Sequence, residues 1–234
     1  MELLVVTPHT DDMIYGSAGT LIQHAGDAIH IVAVSGTQKT AARDVARELG
    51  ATIEFLDAPF HRISEEARRV KDGLAAILRE HQATYIFGPP ATGDWTADHT
   101  VVGSVMLDAL NLAGNIDQYP SRYLRYPIPA TTREFRPNIW VDLPVALVER
   151  KVELAAIMTR GLEDEWPRHL VEWEVNLGLR FAQDVGWPCL HAEAFDGVFV
   201  VPFRRLPGPD ELPAEDIVPN LVNRLDEGFD LSAG

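Results

Sequence analysis

The sequence has a single cysteine, Cys189, among its 234 residues. One cysteine can form neither an intramolecular disulfide nor a cysteine-rich structural zinc site, and its scarcity is compatible with a reducing compartment. The chain also lacks any apolar run of about 18 residues, the length that indicates a membrane-spanning helix. Together these absences predict a soluble globular protein.

Basic residues are scarce as well. Lysine and arginine number 20 against 35 aspartates and glutamates, which gives a formal net charge of −15. A field of this sign repels nucleic acid, polyphosphate and anionic lipid, so neither nucleic acid nor a membrane is expected as a partner. The first six residues have no basic start or long apolar stretch typical of a secretory signal, and we expect them to form a strand of a cytoplasmic protein. The oligomeric state stays open, a homo-oligomer included.

No internal repeat or Gly/Ser-rich linker divides the chain, so one domain is predicted over residues 1–206. The remainder, residues 207–234, contains four prolines and seven acidic residues against one base, Arg224. This composition is typical of a loosely packed acidic tail.

Short β-rich runs alternate with stretches of helical periodicity up to about residue 112, which predicts a Rossmann-like, mainly parallel sheet with helices on both faces. In such sheets, ligands bind beyond the carboxyl ends of the strands. The predicted strands are 3–7, 29–34, 52–56, 84–88, 122–127, 138–141 and 198–201. The first predicted helix begins near residue 17, and the others span 41–49, 65–81, 99–112, 144–159 and 166–185.

Two polar clusters follow the first and fourth predicted strands. The first contains His9, Asp11 and Asp12, and the second contains Asp94 and His99. If the two strands are neighbours, His99 can meet His9 and Asp12 across the crevice, and three ligands with one open position are typical of a catalytic zinc site. The alternative is that the aspartates cap the following helices and the histidines are ordinary loop residues.

The chain resembles the PIG-L/LmbE-like N-acetylglucosaminyl deacetylases through several short motifs in the family's order. Residues 8–13, Pro-His-Thr-Asp-Asp-Met, are similar to the family's first signature, and residues 94–99, Asp-Trp-Thr-Ala-Asp-His, are similar to its second. Weaker similarities are Gly-Ser-Ala-Gly-Thr-Leu at 16–21, Leu-Gly at 49–50, Val-Asp-Leu at 141–143 with a downstream lysine at 151, and Ala-Glu-Ala-Phe at 192–195.

The resemblance implies an LmbE-like fold and a hydrolase with one Zn²⁺ per chain. His9, Asp12 and His99 would bind the metal, and Asp11 would act as general base for the metal-activated water. The expected reaction removes an N-acetyl or other N-acyl group from an amino sugar or small glycoconjugate. Zinc chemistry fits these roles, because the metal lowers the pKa of water and polarises a carbonyl.

The chain departs from the family at three places. Thr96 stands where many members have a histidine that serves the oxyanion or the leaving amine, so the proton must come from Asp11 or from another histidine such as His191 or His61, or the reaction is slow. Met13 replaces a common glutamate. The loop after the second strand offers only Arg43 as a sugar-contacting arginine. The residues predicted to contact substrate are therefore Asp94, Thr96, Arg43 and His191.

Three functions remain open at this stage. An N-deacetylase is the leading hypothesis. A zinc esterase or N-acyl amino acid amidase is the second, since a missing acid matters less when the leaving group is good. A ligand-binding member without turnover is the third, because Thr96 cannot be a general acid at neutral pH.

Overall fold

The computed structural model describes residues 1–113, 123–159, 165–184, 189–197 and 204–205. The predicted acidic tail, residues 207–234, and the predicted strand at 198–201 lie outside the described residues, as does the first residue of the predicted strand 122–127. Within the described ranges, no helix is long and apolar enough to cross a membrane.

Eight strands and six α-helices make up the described part of the chain. The strands are β1 Glu2–Thr7, β2 Ala28–Ala33, β3 Thr52–Phe55, β4 Tyr85–Gly88, β5 Tyr123–Arg125, β6 Ile139–Asp142, β7 Ala192–Gly197 and β8 Arg204–Arg205. The helices are α1 Asp12–Gln23, α2 Lys39–Glu48, α3 Ala67–Glu80, α4 Ala97–Leu112, α5 Val145–Met158 and α6 Glu165–Asp184, with a 3₁₀ turn at Ile63–Glu66 before α3.

The strands form one sheet in the order β3-β2-β1-β4-β5-β7-β6-β8. The first five of these strands pair in parallel, and β7 is antiparallel to both β5 and β6. Strands β1 and β4 are neighbours, with Leu3 opposite Tyr85 and Val5 opposite Phe87, which meets the condition for His99 to approach His9 and Asp12. The chain therefore reverses its direction of winding between β1 and β4, which places a crevice at the carboxyl ends of these strands.

Two apolar cores lie on opposite faces of the sheet, because alternate residues of a strand point to opposite sides. Leu3 and Val5 of β1 pack with α1, α2, α5 and α6 on one face. Leu4 and Val6 pack with α3 and α4 on the other. The predicted architecture, a single α/β domain with a mainly parallel sheet covered on both faces, is confirmed.

Helix α1 begins five residues earlier than predicted, at Asp12 rather than near Ser17. The glycines that suggested a helix entry instead lie inside the helix, where they allow close packing. A Cβ added to Gly16 would lie 2.1 Å from the ring of Tyr126, and one added to Gly19 would lie 2.8 Å from a carboxylate oxygen of Glu193. This early start places Asp12 in the first turn of α1, directly beneath the crevice.

Strand β7 was not predicted from the sequence as a strand. Its residues include Glu193, which is completely buried and accepts hydrogen bonds from the backbone N–H groups of Gly19 and Thr20 at 2.7 Å each. Strands are recognised in a sequence by the alternation of apolar and polar residues, and a buried charged residue in a short strand breaks this pattern. The position of β7 is therefore evident only from its packing against α1.

Candidate metal centre and active site

The turn after β1 carries the first site residues. Two hydrogen bonds fix the backbone of His9. The Thr7 hydroxyl donates to the His9 carbonyl, and the His9 N–H donates to Asp12 Oδ2 at 3.0 Å. Asp12 opens helix α1, while Asp11 occupies the position before it. The residue order of this turn therefore places an imidazole and two carboxylates at one end of the crevice.

Three atoms from the two loops form a compact triangle. His9 Nδ1 lies 3.3 Å from His99 Nε2 and 3.4 Å from Asp12 Oδ2, and His99 Nε2 lies 3.4 Å from Asp12 Oδ2. Tetrahedral ligands at metal distances of about 2.0–2.1 Å are separated by roughly 3.4 Å, so this spacing fits one Zn²⁺-sized ion. All three side chains are buried, and they form a group of residues able to hold a metal ion.

Two further carboxylates orient the imidazoles. Asp98 Oδ2 lies 3.0 Å from His9 Nε2, and Asp94 Oδ1 lies 3.1 Å from His99 Nδ1. In each histidine, the nitrogen facing away from the triangle thus meets a carboxylate. This arrangement holds the facing nitrogen ready for a metal and increases its basicity, as is common for histidine ligands of metals.

Asp94, which the sequence predicted to contact substrate, is not among the described residues that line the cavity beside the triangle. Its side chain is 0% exposed and lies behind His99, where it also accepts hydrogen bonds from the Thr132 hydroxyl at 2.8 Å and the Thr96 N–H at 2.8 Å. Burial alone would raise the pKa of Asp94, but the bond to His99 and those from Thr96 and Thr132 lower it. Asp94 therefore stays ionised and orients the His99 ring.

The carboxylates around the histidines control their protonation. Burial would lower the pKa of His9, but Asp12 and Asp98 raise it to about 9, and Asp94 and Asp12 likewise raise the pKa of His99. In the metal-free protein, protons thus balance the buried negative charge. A metal ion must displace those protons, so its binding releases protons and weakens at low pH.

Asp11 faces the crevice without capping α1, since its side chain makes no capping hydrogen bond. Burial and the neighbouring charge of Asp12 raise its pKa to about 6. A carboxylate with a pKa near neutrality is well matched to accepting and returning a proton. The capping alternative from the sequence is therefore not what the structure shows for Asp11.

The triangle and Asp11 border a cavity of about 240 Å³. Polar and apolar side chains both line it, and its lining residues in the described part of the chain are His9, Asp11, Asp12, Tyr15, Phe60, His61, Thr96, His99, Ile128, Pro129, Thr131 and Leu170. Thr96, which the sequence predicted to contact substrate, is one of these lining residues.

Arg43 and His191 do not line this cavity. The Arg43 guanidinium lies over the ring of Phe55 at 5.1 Å, and the His191 carbonyl accepts a hydrogen bond from the Leu143 N–H beside β7. Their predicted contact with substrate is therefore without support from the geometry.

Sequence reasoning missed Asp98 and Tyr15 as residues of the site, and it named His61 only as one of several alternative proton donors. Asp98 had a signal, because it directly precedes His99 in the second motif and was interpreted only as a helix cap. Tyr15 sits one turn beyond Asp12 on α1, a spacing that becomes visible only when the helix start is correct.

Residues 4–110 match the family model PIG-L, described as GlcNAc-PI de-N-acetylase. This segment contains both loops of the candidate metal centre and most of the fold from β1 to α4. The predicted resemblance to PIG-L/LmbE-like proteins is confirmed. No curated protein matches the chain significantly.

Solved structures share the fold over most of the chain. The 4-carboxy-2-hydroxymuconate hydratase GalB from Pseudomonas putida is 19% identical, with a TM-score of 0.71 over 88% of this chain and 99% of that one. The conserved protein TT1542 from Thermus thermophilus is 23% identical, with a TM-score of 0.69 over 90% and 98%. The N,N'-diacetylchitobiose deacetylase from Pyrococcus horikoshii is 19% identical, with a TM-score of 0.65 over 83% and 82%. One fold thus serves a hydratase and a deacetylase, so the reaction must be argued from the site.

Proposed function

We propose that this protein is a zinc-dependent N-deacetylase that acts on an N-acylated amino sugar or a small glycoconjugate. His9, Asp12 and His99 bind the metal and Asp11 is the general base. The observation that carries the proposal is the triangle of His9 Nδ1, His99 Nε2 and Asp12 Oδ2, with sides of 3.3–3.4 Å, beside the carboxylate of Asp11. The family match over both metal-binding loops supports the reaction class.

The proposed chemistry divides between the metal and Asp11. Bound Zn²⁺ supplies Lewis acidity, which polarises the amide carbonyl and activates water. Asp11 accepts the proton of the attacking water, for which its raised pKa of about 6 is suited, since the group is mostly ionised at pH 7 yet holds a proton readily. The result is a tetrahedral carbon whose C–N bond then breaks.

The cavity has room for a small acyl group. At about 240 Å³ it is below the roughly 300–1,000 Å³ of pockets for drug-sized ligands, and it suits an acetyl group together with the adjoining part of the substrate. Tyr15, Ile128 and Leu170 give it apolar walls that suit a methyl group. The rest of a glycoconjugate would lie outside the cavity.

Metal content and amine release test the proposal together. Untagged protein should carry about one zinc ion per chain by plasma mass spectrometry, as a site with three protein ligands requires, and His9→Ala should carry none. Asp11→Asn should keep its zinc while its rate of amine release from N-acetylated amino sugars falls by about 10²–10⁴-fold. Asp72→Asn, an exposed aspartate on α3, is the matched control and should keep both properties.

Undiminished amine release by Asp11→Asn or by metal-free protein contradicts the mechanism. A panel of matched N-acetyl and O-acetyl compounds separates the deacetylase from an esterase on the same fold. Zinc binding without turnover on any member of a broad panel of N-acyl and O-acyl compounds would favour the ligand-binding hypothesis.

A further inference from the structure

Thr96 leaves the proposed reaction without an obvious proton donor. The amine leaves from the tetrahedral carbon only if its nitrogen gains a proton, and a threonine hydroxyl does not supply one at neutral pH. Among the described residues that line the cavity, three are histidines. His9 and His99 belong to the metal triangle, so His61 is the one that remains.

His61 lies on the loop between β3 and the 3₁₀ turn, and hydrogen bonds hold both ends of this loop. The Ala58 N–H donates to the Val34 carbonyl at 2.9 Å, and the Ile63 N–H donates to Asp98 Oδ1 at 3.1 Å. The second bond ties the loop to the same carboxylate that orients His9. The loop therefore has a defined position relative to the metal triangle.

The backbone of this loop is strained at two residues. Asp57 has a φ of 55° and His61 has a φ of 60°, in the left-handed region that favours glycine. Such conformations cost about 1–2 kcal/mol for a residue with a Cβ, and they persist where the surrounding structure imposes them. At His61 the strained backbone coincides with a side chain that borders the cavity.

The imidazole of His61 lies close to His9 of the metal triangle and to Asp98, the carboxylate behind His9. One of its nitrogens is within 4.8 Å of a ring nitrogen of His9 and a carboxylate oxygen of Asp98. Its ring centroid is 3.8 Å from that of Phe60, and the Phe60 ring in turn lies 4.7 Å from the ring of His9. Unlike His9 and His99, the His61 side chain is exposed, so it can reach both a bound substrate and solvent.

We propose that His61 is the proton donor to the leaving amine, a role that Thr96 cannot fill. This proposal rests on the proposed deacetylase function. As the C–N bond breaks, its electron pair stays on nitrogen, which takes a proton from the His61 imidazolium and leaves a neutral imidazole. The proton that Asp11 took from water restores the imidazolium through solvent, so each turnover consumes one water and releases a carboxylic acid and an amine.

The test compares two leaving groups in His61→Asn and wild-type protein. Asparagine tolerates a left-handed backbone but cannot transfer a proton, so the loop should keep its shape. With N-acetylglucosamine, whose amine must be protonated to leave, kcat/KM should fall by about 100-fold or more. With p-nitrophenyl acetate, whose phenolate leaves as an anion, kcat/KM should stay nearly unchanged. His81→Asn, at the amino-terminal edge of the sheet, is the control for both substrates.

Zinc content provides a readout that does not depend on turnover. His61→Asn should retain the wild-type zinc stoichiometry by plasma mass spectrometry. Loss of zinc would make His61 a metal ligand, together with His9 and Asp98, and would overturn the proposal. Equal losses on the amide and the ester, or no loss on either, would also overturn it, the latter leaving Asp11 as the donor. Wild-type protein inactive on both substrates and on the broad panel of N-acyl and O-acyl compounds would instead refute the proposed function, and the donor role with it.

Discussion

Two clusters of buried charge contact helix α1, one at its first turn and one further along it, and they are balanced in different ways. In the metal-centre cluster, Asp12 and Asp98 face His9, and the donor atoms converge at the edge of a cavity. In the closed cluster, Lys151 Nζ donates to Glu174, to Glu193 and to the Tyr15 carbonyl at 2.6 Å each, and all three charged side chains are 0% exposed.

The difference lies in where the positive charge comes from. Buried charges are stable only when they are paired, and the closed cluster supplies its own cation in Lys151. The metal-centre cluster has no lysine or arginine among its described residues, and it requires protons on its histidines or an external cation. The closed cluster therefore links α1 to α5, α6 and β7. The metal-centre cluster, which lies at the edge of a cavity, can instead take up a metal ion.

The largest effect should follow loss of the cation of the closed cluster. Lys151→Met leaves the Glu193 carboxylate buried without its partner, and we expect the free energy of unfolding to fall by about 3–5 kcal/mol. Urea denaturation measures this change. The neighbouring Arg150→Met removes only exposed ion pairs to Glu48 and Glu153 and should cost less than about 1 kcal/mol. Equal costs for the two variants would mean that burial does not distinguish them.

A smaller effect is expected where the metal-centre cluster loses one of its orienting carboxylates. Asp98→Asn should weaken zinc affinity by about 10–100-fold, because His9 loses the partner that orients its ring and raises its basicity. The amide oxygen can still accept the Ile63 N–H, so the loop should remain in place. Competition with a chelating indicator measures the affinity, with Asp72→Asn as control. An unchanged affinity would show that Asp98 does not support His9.

The smallest effect, when it is counted per pH unit, concerns the pH dependence of the closed cluster. Burial raises the pKa of Glu174 from 4.5 to about 8, against the opposing influence of Lys151. The folded protein therefore holds a proton that the unfolded chain releases, so this contribution to stability is complete below about pH 4.5 and is lost as pH rises through about 8.

Glu174→Gln should remove this dependence. Between pH 5 and 8, the stability of the wild-type protein should fall relative to that of the variant by up to about 1.4 kcal/mol per pH unit. Urea denaturation at a series of pH values gives the difference. Parallel curves for the two proteins would show that Glu174 is ionised together with Glu193 in the folded state.

The sequence predicted more of the first half of the fold than of the second. From β1 to α4, strands and helices alternate with clear periodicity, and the predicted ends differ from the observed ones by only a few residues except at the start of α1. After α4, β7 enters the sheet antiparallel between β5 and β6 and carries buried Glu193. Its position depends on a partner 173 residues away in the chain, Thr20, which no local pattern reveals.

For the candidate site, the sequence by itself determined the chemistry of the metal-centre residues. Two local arrangements supply these residues: a histidine and two aspartates directly after β1, and an aspartate and a histidine at the start of α4. They come close together in any fold that places β1 beside β4. Only the tertiary structure decided which atoms face one another. It placed Asp94 behind His99, brought His61 to the cavity and left Arg43 and His191 elsewhere, because side-chain direction and loop path depend on packing between distant segments.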